Sequence, residues 1–133
     1  LKVLVDTPIW SYALRSQDKK YQSEINALTS LIRDQKAIII GPVRQEILSG
    51  YSDMRKYRII KDKLSYFDNA TIVDADYEIA AELNNKCRKK GIQGSHIDFL
   101  ICAVASRIDI PIFTNDNDFN HYQKVIHIKL YKI

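Results

Sequence analysis

The sequence predicts an α/β fold, a parallel β-sheet flanked by helices, and three observations predict it. Short β-branched or continuously apolar runs at residues 3–5, 37–40 and 111–113 alternate with longer segments of helical periodicity. The chain has only 4 Gly and 3 Pro, no Gly/Ser/Pro-rich linker and no internal repeat, so each break can be read individually. Its 133 residues, 46% hydrophobic and 27% charged, make one domain, residues 1–133, with enough apolar surface for a core. Strands that alternate with helices pair in parallel through right-handed crossovers.

The first strand is Leu1 to Val5, β-branched at Val3 and Val5. Thr7 then caps a helix through Leu14, with Pro8 at its first helical position. From Tyr21 to Asp34, Ile25, Leu28, Leu31 and Ile32 follow the spacing of an amphipathic helix. The run Ala37 to Ile40 reads as a buried strand, closed by Gly41-Pro42 at another helix start. Pro42 to Phe67 is helical with a break around Gly50, and Thr71-Ile72-Val73 is expected as a short strand. A helix from Tyr77 to Lys90 places Ile79, Ala80 and Leu83 on one face and stops at Gly91. Ser95 opens a helix that is apolar almost all round from Phe99 to Ile108, hence central and buried. Pro111-Ile112-Phe113 is a strand, and Val125 to Leu130 is expected as the last one.

Composition excludes several classes of protein. No apolar run approaches the ~18 residues of a membrane span, so no membrane association is expected. The N-terminus runs from Val5 straight into Asp6, unlike a secretion signal. The chain begins at Leu1 rather than Met, so one or more initial residues are expected to be missing. Two cysteines, Cys87 and Cys102, are too few for a disulfide scaffold and point to a reduced, cytoplasmic protein. There is no phosphate-binding Gly-rich loop, no Gly-x-Ser-x-Gly and no Cys-x-x-Cys. P-loop nucleotide hydrolysis and acyl transfer are therefore disfavoured.

Ligands of open parallel sheets bind beyond the C-terminal strand ends, which makes the residues at those ends informative. Asp6 ends the first strand, and Glu46 lies one turn into the helix after the second. Asp116 and Asp118 follow the strand at Phe113, and Asp98 is near the start of the buried helix that precedes it. Each has a plain structural alternative. Asp6 could cap the next helix, Asp98 fits a capping box with Ser95, Glu46 could be a solvated helix residue, and Asp116 and Asp118 could be turn formers. Five of 16 acids at one sheet edge are a different matter, because clustered carboxylates repel and are usually compensated by Mg²⁺ or Mn²⁺. Such a cluster suits attack of water on a phosphodiester.

The remaining charge supports a polyanionic substrate. The chain carries +4 overall, and outside those five acids it has 20 basic residues against 11 acidic ones. Arg55, Lys56, Arg58, Lys61 and Lys63 interleave with Tyr51, Tyr57, Tyr66 and Phe67, a pattern that can track phosphates and stack bases. The same stretch also reads as a basic amphipathic helix with its aromatics packed inward. His96, His121 and His127 show no metal spacing with a cysteine, though His96 is close enough in sequence to influence Asp98. Cys102, four residues after Asp98, reads as a small buried hydrophobe.

Four segments, taken in order, resemble the PIN-domain ribonucleases, and within them the VapC-type toxins of type II toxin–antitoxin systems. They are residues 3–10 with Asp6-Thr7, 43–50 with Glu46, 98–105 with Asp98, and 113–119 with Thr114-Asn115-Asp116-Asn117-Asp118. The resemblance spans essentially the whole chain; Cys102 stands where the family usually has alanine. It implies a three-layer α/β/α fold and a Mg²⁺- or Mn²⁺-dependent endoribonuclease toxin. It also implies a cognate antitoxin that blocks the site, and it admits a homodimer. By position it assigns catalytic and metal-binding roles to Asp6, Glu46, Asp98 and Asp116, metal binding to Asp118, and supporting polar roles to Thr7 and Thr114. The alternatives are a PIN-type nuclease of RNA processing or DNA repair without an antitoxin, a non-catalytic RNA-binding module, and a receiver-like Mg²⁺-binding signalling domain. A receiver needs an acidic pair after the first strand, whereas Asp6 is followed by Thr7.

Overall fold

The computed structural model describes residues 1–15 and 19–133. Among these, β1 (Val3–Val5), β2 (Ala37–Ile40), β3 (Asn69–Ala70) and β4 (Ile112–Phe113) form one sheet in the order β3-β2-β1-β4, with every pair parallel. β1 is central, with Leu4 opposite Ile38 on one side and Ile112 on the other. All three of its residues are buried, which is why it reads as an uninterrupted apolar run.

Helices fill the connections: α1 (Thr7–Arg15), α2 (Gln22–Arg33), α3 (Gly41–Ser49), α4 (Met54–Leu64), α5 (Asp74–Lys89), α6 (His96–Arg107) and α7 (Asp118–Gln123), with a 3₁₀ turn at Lys19–Tyr21. α1 packs on α2 and α3, α3 on α4, and α5 on α6, giving the α/β/α arrangement. The break at Gly50 separates α3 from α4, and Asp53 caps α4 by accepting from the Arg55 N–H at 2.9 Å. α6 buries Phe99 and the whole run Ile101–Ala105, as its composition requires. Trp10 joins α1 to the sheet by donating from Nε1 to the Val5 carbonyl at 3.1 Å, and its ring meets Phe67 edge-on at 5.0 Å.

Three helices end in the same way, with a residue of positive φ followed by a six-residue backbone closure. After α5 that residue is Gly91 (φ 76°), with Ile92 N–H donating to the Cys87 carbonyl at 2.9 Å. After α2 and α6 it is Gln35 and Asp109, each at φ 57°, with closures from Lys36 to Leu31 and from Ile110 to Ala105. The latter two feed directly into β2 and β4.

The structure moves two expected strands and one helix face. The third strand is Asn69–Ala70 rather than residues 71–73, because that backbone is engaged elsewhere. The Thr71 carbonyl accepts from Arg107 at 2.9 Å, and the Val73 N–H donates to Asp76 at 2.9 Å, which starts α5. Of the expected strand 125–130, only Leu130 bridges to Ile112, since the N–H groups of Val125 and Ile126 instead close α7 onto the Tyr122 carbonyl. On α5 the inward stripe runs through Asp76, Ala80 and Cys87 with Leu83 half-buried, so Ile79 is 41% exposed. Asp76 occupies its inward place because Arg107 pairs with both its oxygens, at 2.8 and 3.0 Å.

Candidate active site

Three adjacent strands, β2, β1 and β4, deliver their C-terminal ends to one edge of the sheet, and the acids follow from that topology. Asp6, Glu46, Asp98, Asp116 and Asp118 all line one open cleft of about 760 Å³, together with Tyr12, Arg15 and Gly94. Oxygens of Asp98, Asp116 and Asp118 lie within 4.8 Å of one another. Among the described residues, no basic side chain comes within ion-pair distance of any of the five.

Asp6 is the most buried of them, 3% exposed at the end of β1. Its own N–H donates to the Phe113 carbonyl at 2.9 Å, which locks the residue between β1 and β4. The Thr7 N–H donates to one carboxylate oxygen and the Thr114 hydroxyl to the other, both at 2.8 Å. Thr114 Oγ1 in turn accepts from the Asp116 N–H at 3.0 Å, and Asp116 accepts from the Asp118 N–H at 2.9 Å. A continuous chain of hydrogen bonds therefore ties β1 to the loop after β4. Thr114 reaches the cluster through its side chain. Thr7 does so through its backbone, and its hydroxyl is buried without a partner.

Burial lifts the Asp6 carboxyl to about 7, against the pull of the Thr114 and Thr7 hydrogen bonds, and the charges of Asp98 and Asp116 add to the rise. Asp98 is also raised, first by burial. Ser95 caps α6, its Oγ accepting from the Asp98 N–H at 3.0 Å, and the Asp98 carboxylate lines the cleft. Glu46 is exposed on α3 at the cleft's rim, outside the close trio.

Tyr122 and Gly94 also shape the site, and neither stood out in the sequence. The Tyr122 hydroxyl donates to Asp98 Oδ2 at 2.6 Å from a fully buried ring held by Phe99 and Phe119. A Cβ at Gly94 would collide with that hydroxyl and lie 2.8 Å from Phe99 Cε2, so only glycine leaves room for the ring. A second glycine three residues after the one that stops α5, just before a helix cap, was the available signal. Tyr12 stacks on Tyr21 at 3.7 Å and accepts from Asn115 Nδ2 at 2.8 Å, bracing α1 against the acidic loop.

The other sequence candidates lie around this cleft. Of Arg55, Lys56, Arg58, Lys61 and Lys63, all exposed on α4, only Lys56 lines a cavity adjoining it. His96 faces a separate cavity between α5 and α6, with Tyr77 and Leu100. Cys102 is fully buried, and burial raises its thiol pKa. No helix among the described residues is long and apolar enough to cross a membrane.

Oxygen-only ligands in a negative, open pocket fit a hard divalent cation. A search of curated protein sequences returns no match. Solved structures share the fold closely. FitAcB from Neisseria gonorrhoeae superposes with a TM-score of 0.77 at 18% identity, covering 98% of this chain and 96% of that chain. VapBC2 from Rickettsia felis, bound to a DNA fragment from its promoter, gives 0.74 at 20% identity over 98% of both chains. A toxin–antitoxin complex from Klebsiella pneumoniae gives 0.69 at 18% identity, covering 89% of this chain and 90% of that one. The PIN domain family model matches residues 3–125, a span that includes every segment contributing an acid to the cleft. The chain belongs to the PIN domain family.

Proposed function

We propose that the protein is a divalent-metal-dependent endoribonuclease that acts as a toxin and is neutralised by a cognate antitoxin. The observation that carries this reading is the convergence of five acids from four separate segments in one cleft, with no basic side chain of the described residues within ion-pair distance of them. Asp98, Asp116 and Asp118 would hold the metal, with Asp6 and Glu46 completing the acidic wall. Mg²⁺ or Mn²⁺ would supply the positive charge that stabilises a phosphodiester under attack by water. Thr114 fixes Asp6 relative to Asp116, and Tyr122 fixes Asp98. The cations of α4, Arg55, Lys56, Arg58, Lys61 and Lys63, would attract the RNA through its phosphates.

The toxin assignment draws on the neighbours, which include a toxin–antitoxin complex and a VapBC pair on promoter DNA. An antitoxin segment carrying a basic side chain would enter the acidic cleft, and the protein would self-associate as a homodimer. The test is incubation of purified protein with defined RNAs, with Mg²⁺ or Mn²⁺ and with chelator. Cleavage that requires metal and is lost in Asp116→Asn supports the nuclease. Cleavage unaffected by chelator overturns it. A small protein encoded beside the gene should suppress toxicity and co-purify. If none does so, the toxin role falls and the nuclease remains.

A further inference from the structure

Of the three acids whose oxygens lie within 4.8 Å of one another, Asp116 and Asp118 follow β4 in the loop that leads into α7. A cation site needs its ligands held in place before the ion arrives, and a loop by itself holds them poorly. Two successive side chains tether this one. The Thr114 hydroxyl donates to Asp6 at the end of β1, and Asn115 Nδ2 donates to the Tyr12 hydroxyl on α1, both at 2.8 Å. One tether leaves the chain free to turn about it. A second on the next residue, to a different element, removes that freedom and fixes the backbone that carries Asp116 and Asp118.

Tyr12 is itself held. Its ring lies parallel to that of Tyr21, with 3.7 Å between centroids and 2° between planes, so the turn before α2 keeps the hydroxyl aimed at Asn115. Tyr12 falls on the face of α1 that carries Pro8 and Arg15, and all three line the acidic cleft. The hydroxyl meets Asn115 rather than an acid of the cluster, so its effect on the cluster passes through the loop.

We propose that Tyr12 is a positioning residue for the metal: through Asn115 it holds Asp116 and Asp118 where they can share an ion with Asp98. The inference rests on reading the cleft as a divalent-metal site, and it makes α1 and the turn before α2 part of that site's framework.

The test is titration calorimetry with Mn²⁺, beside amide hydrogen exchange of the metal-free protein. Tyr12→Phe keeps the ring and its stack and removes only the acceptor. Asn115→Ala, at an exposed position, removes the donor without touching the ring. Each should weaken Mn²⁺ binding several-fold, and the double variant should bind no more weakly than the weaker single, because both delete the same bond. In both single variants the Asp116 and Asp118 amides should exchange faster while the central turns of α6 keep parental protection, a local change that a role in general stability would not produce. Parental Mn²⁺ affinity in Tyr12→Phe, losses that multiply in the double variant, or unchanged exchange at the two amides overturns the positioning role and leaves the metal site standing. A parent protein that binds no Mn²⁺ overturns the metal reading and the positioning role with it.

Discussion

The Tyr122 hydroxyl donates a 2.6 Å hydrogen bond to Asp98 Oδ2, joining α7 to the first turn of α6 across 24 residues of chain. The ring reaches that position only because Gly94 has no side chain. A hydrogen bond of this kind orients the carboxylate it meets, and where such a carboxylate holds a metal its loss typically costs 10- to 100-fold in affinity. Tyr122→Phe should therefore weaken Mn²⁺ binding by about tenfold while lowering stability by only about 1 kcal/mol. Gly94→Ala should weaken Mn²⁺ binding as well and destabilise more, because it displaces the ring. Titration calorimetry beside thermal melts measures both. Parental Mn²⁺ affinity in Tyr122→Phe would show that the bond has no bearing on the metal.

Asp6 should make the metal-free protein less stable as pH rises. Its carboxyl is raised from 3.8 to about 7 by burial, so the folded state binds the proton more tightly than the unfolded chain. That contribution is complete below about 4 and is lost as pH climbs through about 7. Asp6→Asn should accordingly raise stability at pH 8 in chelator, by an amount on the order of a few kcal/mol, and change little at pH 4. Added Mn²⁺ should stabilise the parent more than the variant. A lower melting point for Asp6→Asn at pH 8, with cleavage intact, would assign Asp6 to helix capping.

Asp76 has the opposite sign. Burial pushes its carboxyl up, but the bonds from Arg107 and the Val73 N–H outweigh that and hold it below its ordinary range. The stability it contributes is full above about 4 and disappears as pH falls through the lower folded value. Asp76→Ala should cost roughly 2 to 3 kcal/mol at pH 7, with a much smaller difference at pH 2. Urea denaturation at the two pH values checks this. Cleavage should survive the substitution, since Asp76 does not line the cleft.

RNA cleavage should leave 5′-phosphate and 3′-hydroxyl ends. All three histidines are exposed and none lines the acidic cleft, so no imidazole is placed to activate a ribose 2′-hydroxyl. Attack by water at a carboxylate–metal site leaves the phosphate on the 5′ end. Mass spectrometry of the fragments decides the point, and 2′,3′-cyclic phosphate would contradict it.

Gln35→Gly should stabilise the protein by roughly 0.5 to 1 kcal/mol, because Gln35 holds a left-handed conformation at the end of α2 that costs any residue with a Cβ. Chemical denaturation measures the gain. Unchanged stability would mean that the loss of chain entropy on folding glycine offsets the relief.

The sequence by itself determined the alternation of strands and helices, because β1 and the Phe99–Ala105 stretch of α6 are apolar throughout and their burial does not depend on long-range detail. It also placed the acids at strand ends, since Asp6 follows Val5 and Asp116 follows Phe113 within a few residues, and parallel topology carries such positions to one edge. The tertiary structure alone decided what those acids touch. Tyr122 is one aromatic among twelve Tyr and Phe in the chain, and nothing local distinguishes a ring that packs inward from one whose hydroxyl meets Asp98. The strand expected at residues 71–73 went elsewhere for the same reason. Arg107, 36 residues away from Thr71, takes its carbonyl, and Asp76 takes the Val73 N–H. β-branched side chains favour a strand locally, but a bidentate ion pair on the buried Asp76, with two backbone bonds, outweighs that preference, and its partners meet only when α5 packs on α6.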